Sequence, residues 1–278
     1  MGDAAGALRT ATQALQPISD TARLDAELLM AHAAGISRED LLLHLPDLKV
    51  PVMFESLVKR RMTSEPVAHI LGEKEFWGLP FKVSPDVLIP RPDSELLIEE
   101  SLRLFHEKPP RQILDLGTGS GALLLAALSE FSSACGTGTD ASAAALEVAK
   151  TNAKNLSLAD RTTFTLNDWT QDGWQGQLDG RFNLILANPP YIATNVALSP
   201  EVAEFEPHEA LFAGEAGLND YKIIIPALGN LLAEAGYALL EIGFDQAESV
   251  SNLAQKYGYH AECKRDLGGN DRLISLRR

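Results

Sequence analysis

The first seventy residues carry apolar side chains only at the spacing of helices. One helix is predicted to be capped by Ser19-Asp20 and to end at Gly35. A second begins at Ser37, where a weak capping box precedes a leucine run, and a third follows Pro51, which suits a first helical turn. The pattern therefore predicts a small helical domain over residues 1–74.

A proline-rich segment follows over residues 75–92. Two short apolar runs, Phe76-Trp77 and Phe81 to Val83, flank a turn at Gly78-Leu79-Pro80. The later prolines favour extended chain over helix. We therefore expect a hairpin that also serves as the linker between two domains.

From residue 93 onward, short apolar strands alternate with amphipathic helices, which is typical of an α/β domain with a mostly parallel sheet. The domain is predicted to cover residues 93–278. Its strands are expected at Gln112–Leu116, Ala134–Thr139, Thr162–Leu166, Asn183–Ala187, Tyr237–Ile242, Tyr259–Lys264 and Leu273–Leu276. The last two are joined by a link too short for a crossover, so they must pair antiparallel. The prediction is a Rossmann-like, seven-stranded sheet with one antiparallel strand near an edge.

Composition narrows the choice of protein class. The chain has 278 residues, 45% of them hydrophobic and 22% charged, as is ordinary for a soluble globular protein. A net charge of −14 argues against broad binding to nucleic-acid phosphates. No apolar run is long enough to span a membrane and no signal peptide is evident, so we expect a cytoplasmic protein. We also expect a monomer.

Cysteine and histidine spacing predicts no metal site. Cys135 and Cys263 lie far apart and match no zinc spacing, so both are expected to be reduced and buried. The histidines show neither HxH nor HExxH spacing.

A glycine-rich loop between the first strand of the sheet and the next helix is the first candidate site. It consists of Gly117, Thr118, Gly119, Ser120 and Gly121. Such glycines let the chain turn tightly and let a ligand approach a helix N-terminus. Asp140, at the end of the next strand, can accept hydrogen bonds from two ribose hydroxyls. The loop lacks the third glycine of dinucleotide folds, which favours S-adenosylmethionine over a nicotinamide cofactor, although a purely structural turn is the alternative.

Asp168 and Trp169 end the third strand of the sheet. The carboxylate of Asp168 could accept from an adenine amino group, and the indole of Trp169 could stack on adenine. The alternative is a local cap beside a core tryptophan.

A second motif, Asn188-Pro189-Pro190-Tyr191, directly follows the fourth strand. The prolines make the turn rigid, so that the side-chain carbonyl of Asn188 and the backbone carbonyl of Pro189 can point at one spot beside the Tyr191 ring. That arrangement suits a planar nitrogen with two N–H donors, whose lone pair becomes more available when both hydrogens are accepted. A glutamine amide fits, as do the exocyclic amines of adenine, cytosine and guanine. The negative net charge favours the protein substrate.

In this order, DLGTGSG (115–121), TDAS (139–142), NDW (167–169) and NPPY (188–191) resemble the motifs of class I amino-methyltransferases that use S-adenosylmethionine. Segments 65–99, 205–214, 240–243 and 266–272 make the resemblance more specific, to HemK/PrmC-type protein-(glutamine-N5) methyltransferases. Two positions depart from the pattern of that family, because His208 and Asn270 stand where arginine is frequent.

The resemblance implies methylation of the glutamine in the Gly-Gly-Gln motif of class I peptide chain release factors, with S-adenosylmethionine as co-substrate and no metal. It implies a cofactor site formed by Gly117 to Gly121, Asp140, Asp168, Trp169 and Asn188. It also implies that Asn188, Pro189, Pro190 and Tyr191 hold the substrate amide, with Asn188, Pro189 and Tyr191 catalytic. The N-terminal domain is expected to recognise the release factor, without stable binding to nucleic acid or membrane.

Three other interpretations stay open on the residues alone. A ribosomal-protein glutamine methyltransferase and a nucleic-acid amino-methyltransferase would use the same two motifs. A module that binds S-adenosylmethionine without catalysis would need only the glycine-rich loop.

Overall fold

The computed structural model describes residues 3–278, so the first two residues of the predicted N-terminal domain lie outside the described residues. The chain forms two compact units. The first ends at Glu73 and also takes in Leu198–Phe205, and the second contains Lys74–Ala197 and Glu206–Arg278. The sequence pattern places Leu198–Phe205 in the second domain, because nothing in the composition of this segment indicates partners so distant in the chain.

Eleven α-helices occur among residues 3–278, together with short 3₁₀ turns. They are α1 (Ala4–Leu15), α2 (Ala22–Ala34), α3 (Arg38–His44), α4 (Phe54–Met62), α5 (Val67–Leu71), α6 (Glu95–Leu104), α7 (Ala122–Glu130), α8 (Ala143–Asn155), α9 (Pro200–Phe205), α10 (Asn219–Leu231) and α11 (Ala247–Lys256). None of these described helices is long and apolar enough to cross a bilayer.

The described strands form a two-stranded hairpin and a seven-stranded sheet. They are β1 (Glu73–Phe76), β2 (Leu79–Lys82), β3 (Gln112–Leu116), β4 (Cys135–Asp140), β5 (Thr162–Leu166), β6 (Phe182–Ala187), β7 (Leu232–Glu241), β8 (His260–Arg265) and β9 (Asp271–Arg277).

Helix ends in the first unit follow local chemistry. Gly35 ends α2 in the left-handed conformation, with φ +67°, as predicted. The Ser37 hydroxyl caps α3 by accepting the Asp40 backbone N–H at 3.0 Å, which confirms the predicted cap.

The predicted cap of α2 at Ser19-Asp20 is wrong, because the N-cap position belongs to Thr21. The helix begins at Ala22, and the side chain of Thr21 does not cap it. Ser19 and Thr21 instead donate their hydroxyls to the carboxylate of Asp25, at 2.8 and 2.9 Å. These bonds hold the two residues in a turn ahead of the helix.

The predicted hairpin is confirmed, but its turn is Trp77-Gly78, and Leu79 and Pro80, predicted in the turn, belong to β2. Trp77 lies in the turn rather than in a strand and has φ +53°. Two carboxylates hold it there, because its backbone N–H donates to Glu95 at 2.8 Å and its indole N–H donates to Glu130 at 2.7 Å. Phe76 and Phe81 pack edge to face beside the turn, 6.2 Å apart.

The sheet has the strand order β5-β4-β3-β6-β7-β9-β8. Every neighbouring pair is parallel except those of β9, which runs antiparallel to both β7 and β8. The predicted α/β architecture is therefore confirmed, with the antiparallel strand one position in from an edge.

Both faces of the sheet are buried, because side chains alternate along each strand. Leu114 and Leu116 of β3 belong to the apolar cluster that includes α10 and α11. Ile113 points to the other cluster, formed with α6, α7 and the hairpin. The ends of the strands are thereby fixed on both sides.

The expectation that both cysteines are buried is wrong. Cys135 is the first residue of β4, and Cys263 lies on the edge strand β8, and both are exposed. An edge strand and a strand end leave side chains open to solvent even within an otherwise buried sheet.

Candidate active site

The site lies where the strand order reverses. β3 pairs with β4 on one side and with β6 on the other, so the loops after β3 and β6 diverge at the carboxyl edge of the sheet. A cavity of about 330 Å³ opens there. From the sequence-predicted set it is lined by Gly117, Thr118, Gly119, Ser120, Asp140, Trp169, Asn188 and Pro190. The two motifs therefore meet in one cavity.

Four predicted residues lie outside that lining: Gly121, Asp168, Pro189 and Tyr191. Gly121 precedes α7 with φ +81°, and an added Cβ would stand 3.1 Å from Leu125. Its described contacts are those of a packed helix start.

Gly117 and Gly119 have different surroundings within the same loop. Both have positive φ, +71° and +54°. A Cβ on Gly117 would come within 2.9 Å of the Trp169 ring, whereas a Cβ on Gly119 would meet nothing within 4 Å. Gly117 is thus required by packing, and Gly119 leaves open space at the cavity.

Asp140 holds the loop and keeps capacity for a ligand. Its Oδ2 accepts the Gly119 N–H at 2.8 Å, and its Oδ1 accepts the Ser142 N–H at 2.9 Å. Burial raises the pKa of this carboxyl, although these backbone donors oppose the rise. An ionised carboxylate has about four acceptor positions, so lone pairs remain for ribose hydroxyls.

Asp115 lies beneath the loop and is fully buried. Its Oδ2 accepts the Thr118 hydroxyl at 2.6 Å, while its Oδ1 has no hydrogen-bond partner among the described residues. Burial raises the pKa of this carboxyl to about 7.

Trp169 lines the cavity, whereas its neighbour Asp168 does not. The Trp169 indole N–H donates to Asp220 at 2.7 Å, which fixes the ring against Gly117 at the cavity. Asp168 accepts from the Thr170 hydroxyl at 2.7 Å, from the Gln171 amide and from the Thr170 N–H, and these bonds lower the pKa of its carboxyl. Asp168 therefore caps the following turn and is not brought to the cavity.

The NPPY motif is tied to two residues that the sequence analysis missed. The Asn188 Nδ2 donates to the Ser94 Oγ at 3.2 Å, and the Ser94 hydroxyl donates to the Glu241 carboxylate at 2.5 Å. The Tyr191 hydroxyl donates to the other oxygen of Glu241 at 3.2 Å. Burial and the neighbouring Glu241 raise the pKa of the Tyr191 phenol, which keeps it a donor.

The segment interpreted as a linker also forms part of the site. Several of its residues line the cavity, namely Phe76, Pro85, Asp86, Val87, Leu88, Pro90 and Arg91. Glu206 anchors this segment by accepting from Arg91 at 2.5 Å and from the Ile89 N–H at 3.3 Å. The sequence feature that could have indicated a cavity wall is the apolar run Val87 to Ile89, which is followed by Arg91 between two prolines.

Asn152 on α8 is a further missed residue. Its Nδ2 donates to the carbonyls of Ser120 and Lys82, at 2.8 and 3.0 Å, and its Oδ1 accepts the Lys82 N–H at 2.7 Å. It thereby joins the glycine-rich loop to β2.

The two positions that depart from the family pattern lie outside the cavity lining. His208 packs edge to face on Phe212, with 5.8 Å between ring centroids. Asn270 lies in the turn between β8 and β9, where its N–H donates to Asp266 at 2.9 Å. Neither belongs to the described contacts of the NPPY motif.

The donors and acceptors that line this cavity suit a nucleoside. Asp140 and the open backbone at Gly119 suit a ribose, and the Trp169 ring suits a flat base. Residues 3–278 contain no group of three or more potential metal ligands.

Known proteins resemble this chain in sequence and in fold. Residues 6–72 match the family described as PrmC N-terminal domain, and residues 92–205 match the methyltransferase small domain. A solved methyltransferase from Pyrococcus furiosus has a TM-score of 0.54 at 18% identity, over 78% of this chain and 95% of that one. At that identity the likeness shows the fold alone.

Sequence relatives are closer. A release factor glutamine methyltransferase from Cereibacter sphaeroides is 42% identical, over 99% of this chain and 98% of its own length. One from Coxiella burnetii is 41% identical over 98% of both chains. The chain therefore belongs to the release factor glutamine methyltransferase family.

Proposed function

We propose that this protein transfers a methyl group from S-adenosylmethionine to the side-chain amide nitrogen of the glutamine in the Gly-Gly-Gln motif of class I release factors. One observation carries the proposal. The glycine-rich loop with Asp140 and the NPPY motif with Asn188 line the same cavity, so a nucleoside-bearing donor and a planar amide can meet there.

The cofactor half of the cavity is supported by three groups. Asp140 would accept from the ribose hydroxyls, the open face at Gly119 would let the ligand approach the backbone, and Trp169 would pack against adenine. When bound, S-adenosylmethionine supplies an electrophilic methyl group on a positively charged sulfur.

The NPPY motif would orient the nucleophile. The Asn188 Nδ2 is already committed to Ser94, which leaves its Oδ1 to accept one amide hydrogen of the glutamine. The carbonyl of Pro189 would accept the other. The amide lone pair would then face the methyl carbon in line with the carbon–sulfur bond. The nitrogen–carbon bond would form as the carbon–sulfur bond breaks, the neutral thioether S-adenosylhomocysteine would leave, and the methylated amide would lose one proton to solvent water. Orientation of this kind can supply on the order of 7–11 kcal/mol.

Charge pairing favours a protein substrate over nucleic acid. The short basic run in α4 is Lys59, Arg60 and Arg61, and all three side chains form ion pairs. Their carboxylate partners are Glu55, Glu65, Asp25 and Glu201. Cations held this way offer little to phosphates, whose binding depends on available lysine and arginine.

The names of the sequence relatives support a release factor as substrate. Glycines on either side of a target glutamine would present a thin loop, which suits a cavity of this size. Residues 6–72 match the PrmC N-terminal domain. This N-terminal unit would bind the release factor at a surface away from the reacting glutamine.

The decisive experiment uses labelled S-adenosylmethionine with a class I release factor and with the same factor carrying alanine in place of the Gly-Gly-Gln glutamine. Label on the first and not on the second is expected. Asn188→Ala is the enzyme control, with an expected loss of roughly 100-fold or more in kcat, comparable to removal of one fixed dipole from an active site. Label on a ribosomal protein or a nucleic acid instead would contradict the proposal.

A further inference from the structure

Glu241, at the end of β7, is a buried carboxylate that the proposed reaction does not use directly. Its side chain is 1% exposed. Its two oxygens accept from different residues, Ser94 at 2.5 Å and Tyr191 at 3.2 Å. Ser94 lines the cavity, and Tyr191 belongs to the NPPY motif although it lies outside the cavity lining.

The hydrogen bonds through Ser94 have a single consistent direction. An ionised Glu241 only accepts, and both of its oxygens have a hydroxyl donor, so the one hydroxyl hydrogen of Ser94 goes to Glu241. The Ser94 oxygen can then only accept from Asn188, which requires the nitrogen of that amide to face Ser94. The Asn188 Oδ1 is left as the acceptor for a ligand.

We propose that Glu241 and Ser94 are positioning residues that fix the orientation of the Asn188 amide, so that Asn188 presents an acceptor rather than a donor to the substrate nitrogen. The inference rests on the proposed function, since it concerns the same substrate amide. A flipped Asn188 would point its own N–H groups at the N–H groups of the glutamine, and no productive contact would form.

The second oxygen of Glu241 binds Tyr191, the last residue of the NPPY motif. By accepting from the Tyr191 hydroxyl it fixes both ends of the NPPY turn to one carboxylate. The backbone of Glu241 is held in turn, because its carbonyl accepts the Tyr221 hydroxyl at 2.7 Å. Burial raises the pKa of the Glu241 carboxyl, and the Ser94 hydroxyl and Arg272 oppose that rise.

The test compares Glu241→Gln and Ser94→Ala with the full-length wild type, using a release factor as substrate. A glutamine amide can donate to Ser94, which would free the hydroxyl to donate to Asn188 and let the Asn188 amide turn over. We expect kcat to fall roughly 10–100-fold in either variant, the scale of a misplaced reactive group. The dissociation constant of S-adenosylmethionine, measured by calorimetry, should change less than twofold.

Two further variants separate positioning from structure. Ser94→Thr keeps the hydroxyl and should recover most of the lost kcat. The double variant of Glu241→Gln and Ser94→Ala should be no slower than the slower single variant, because both act through one amide.

Matched controls come from α6. Ser101 is a buried serine whose hydroxyl donates only to the Leu97 carbonyl, and Glu100 is a buried glutamate bound by Arg103. Ser101→Ala and Glu100→Gln should leave kcat unchanged. Like Ser94→Ala and Glu241→Gln, they remove a buried hydrogen bond and should lower the free energy of unfolding.

The outcomes distinguish the two proposals. Wild-type enzyme that does not label the release factor overturns the proposed function. Active wild type with unchanged kcat in Ser94→Ala and Glu241→Gln overturns the positioning role. So do independent, additive losses, or a loss of kcat matched by an equal loss of cofactor affinity. Ser94→Ala removes one oxygen only, so it gives a folded variant for the test if Glu241→Gln does not fold.

Discussion

Asp115 is a residue whose protonation is coupled to folding. Its pKa is raised by burial from 3.8 to about 7, and its Oδ1 has no described partner. A raised carboxyl pKa means that the folded protein binds the proton more tightly than the unfolded chain does. Between pH 4 and 7, this residue therefore makes the free energy of unfolding fall as pH rises, by about 1 kcal/mol per pH unit.

Asp115→Asn removes this titration while keeping the shape of the side chain and an acceptor for Thr118. We expect the variant to gain stability relative to the wild type as pH increases from 4.5 to 6.5. Thermal unfolding of both proteins across that range measures the difference, and a difference that does not change with pH would contradict the raised pKa.

Single residues were predictable where a short motif carries them. Asp140 and Asn188 follow strands directly, so their place at the carboxyl edge follows from the pattern alone. Ser94 and Glu241 lie 147 positions apart and form a pair only through the fold. The sequence indicates Asp168 as an acceptor for an adenine amino group beside Trp169. In the structure the Asp168 carboxylate accepts from Thr170 instead, and the indole of Trp169 donates to the distant Asp220.

At the scale of elements, the turn between β3 and α7 contains one glycine that packing requires, Gly117, and one that faces open space, Gly119. Gly117→Ala would place a methyl 2.9 Å from the Trp169 ring, and Gly119→Ala would place one in open space. Both substitutions also carry the strain of a positive φ, about 1–2 kcal/mol.

We expect Gly117→Ala to lower the melting temperature clearly more than Gly119→Ala. We expect Gly119→Ala to weaken S-adenosylmethionine binding at least tenfold, because its methyl would occupy the face that the ligand approaches. Differential scanning fluorimetry and calorimetry measure the two effects. Equal cofactor affinity in Gly119→Ala and the wild type would show that the ligand does not approach this backbone.

Elements were predictable to the extent that local periodicity defines them. Strand β5 (Thr162–Leu166) was predicted residue for residue, because apolar alternation and flanking turns define both ends. The turn at Trp77 and the start of α2 were displaced by side-chain bonds, to Glu95, Glu130 and Asp25. Such bonds depend on residues up to 53 positions away, which a local window does not contain.

At the scale of the whole molecule, the first unit is held by a buried ion pair. Arg61, with 4% of its side chain exposed, binds Asp25 at 2.8 Å and Glu201 at 2.9 Å. Its neighbour Arg60 binds Glu65 in a more exposed pair. Removing one partner of a buried pair leaves an uncompensated charge.

Arg61→Ala should therefore destabilise the first unit by about 3 kcal/mol, while Arg60→Ala should cost less than about 1 kcal/mol. Hydrogen exchange resolved by mass spectrometry over α1 to α5 measures the difference within the intact chain. Similar exchange in the two variants would mean that the buried pair adds nothing beyond an exposed one.

Recognition of the release factor gives the second prediction at this scale. Deleting residues 1–72 should raise KM for a full-length release factor far more than for a short Gly-Gly-Gln peptide, because the peptide lacks the surface that the first unit would bind. Steady-state kinetics on both substrates tests this. The peptide reaction is also the control for catalysis, since Glu201 loses its partner Arg61 in the shortened chain. Equal losses on both substrates would contradict a recognition role.

The first unit is discontinuous in sequence, because Leu198–Phe205 belongs to it while the chain on either side belongs to the second unit. The first unit therefore cannot be exchanged as one continuous segment of the chain. A chimera that takes only the first 73 residues from a relative would match a foreign Arg61 environment to the resident Glu201. An exchange of the first unit therefore has to carry both stretches together if Arg61 is to keep its own Glu201 as a partner.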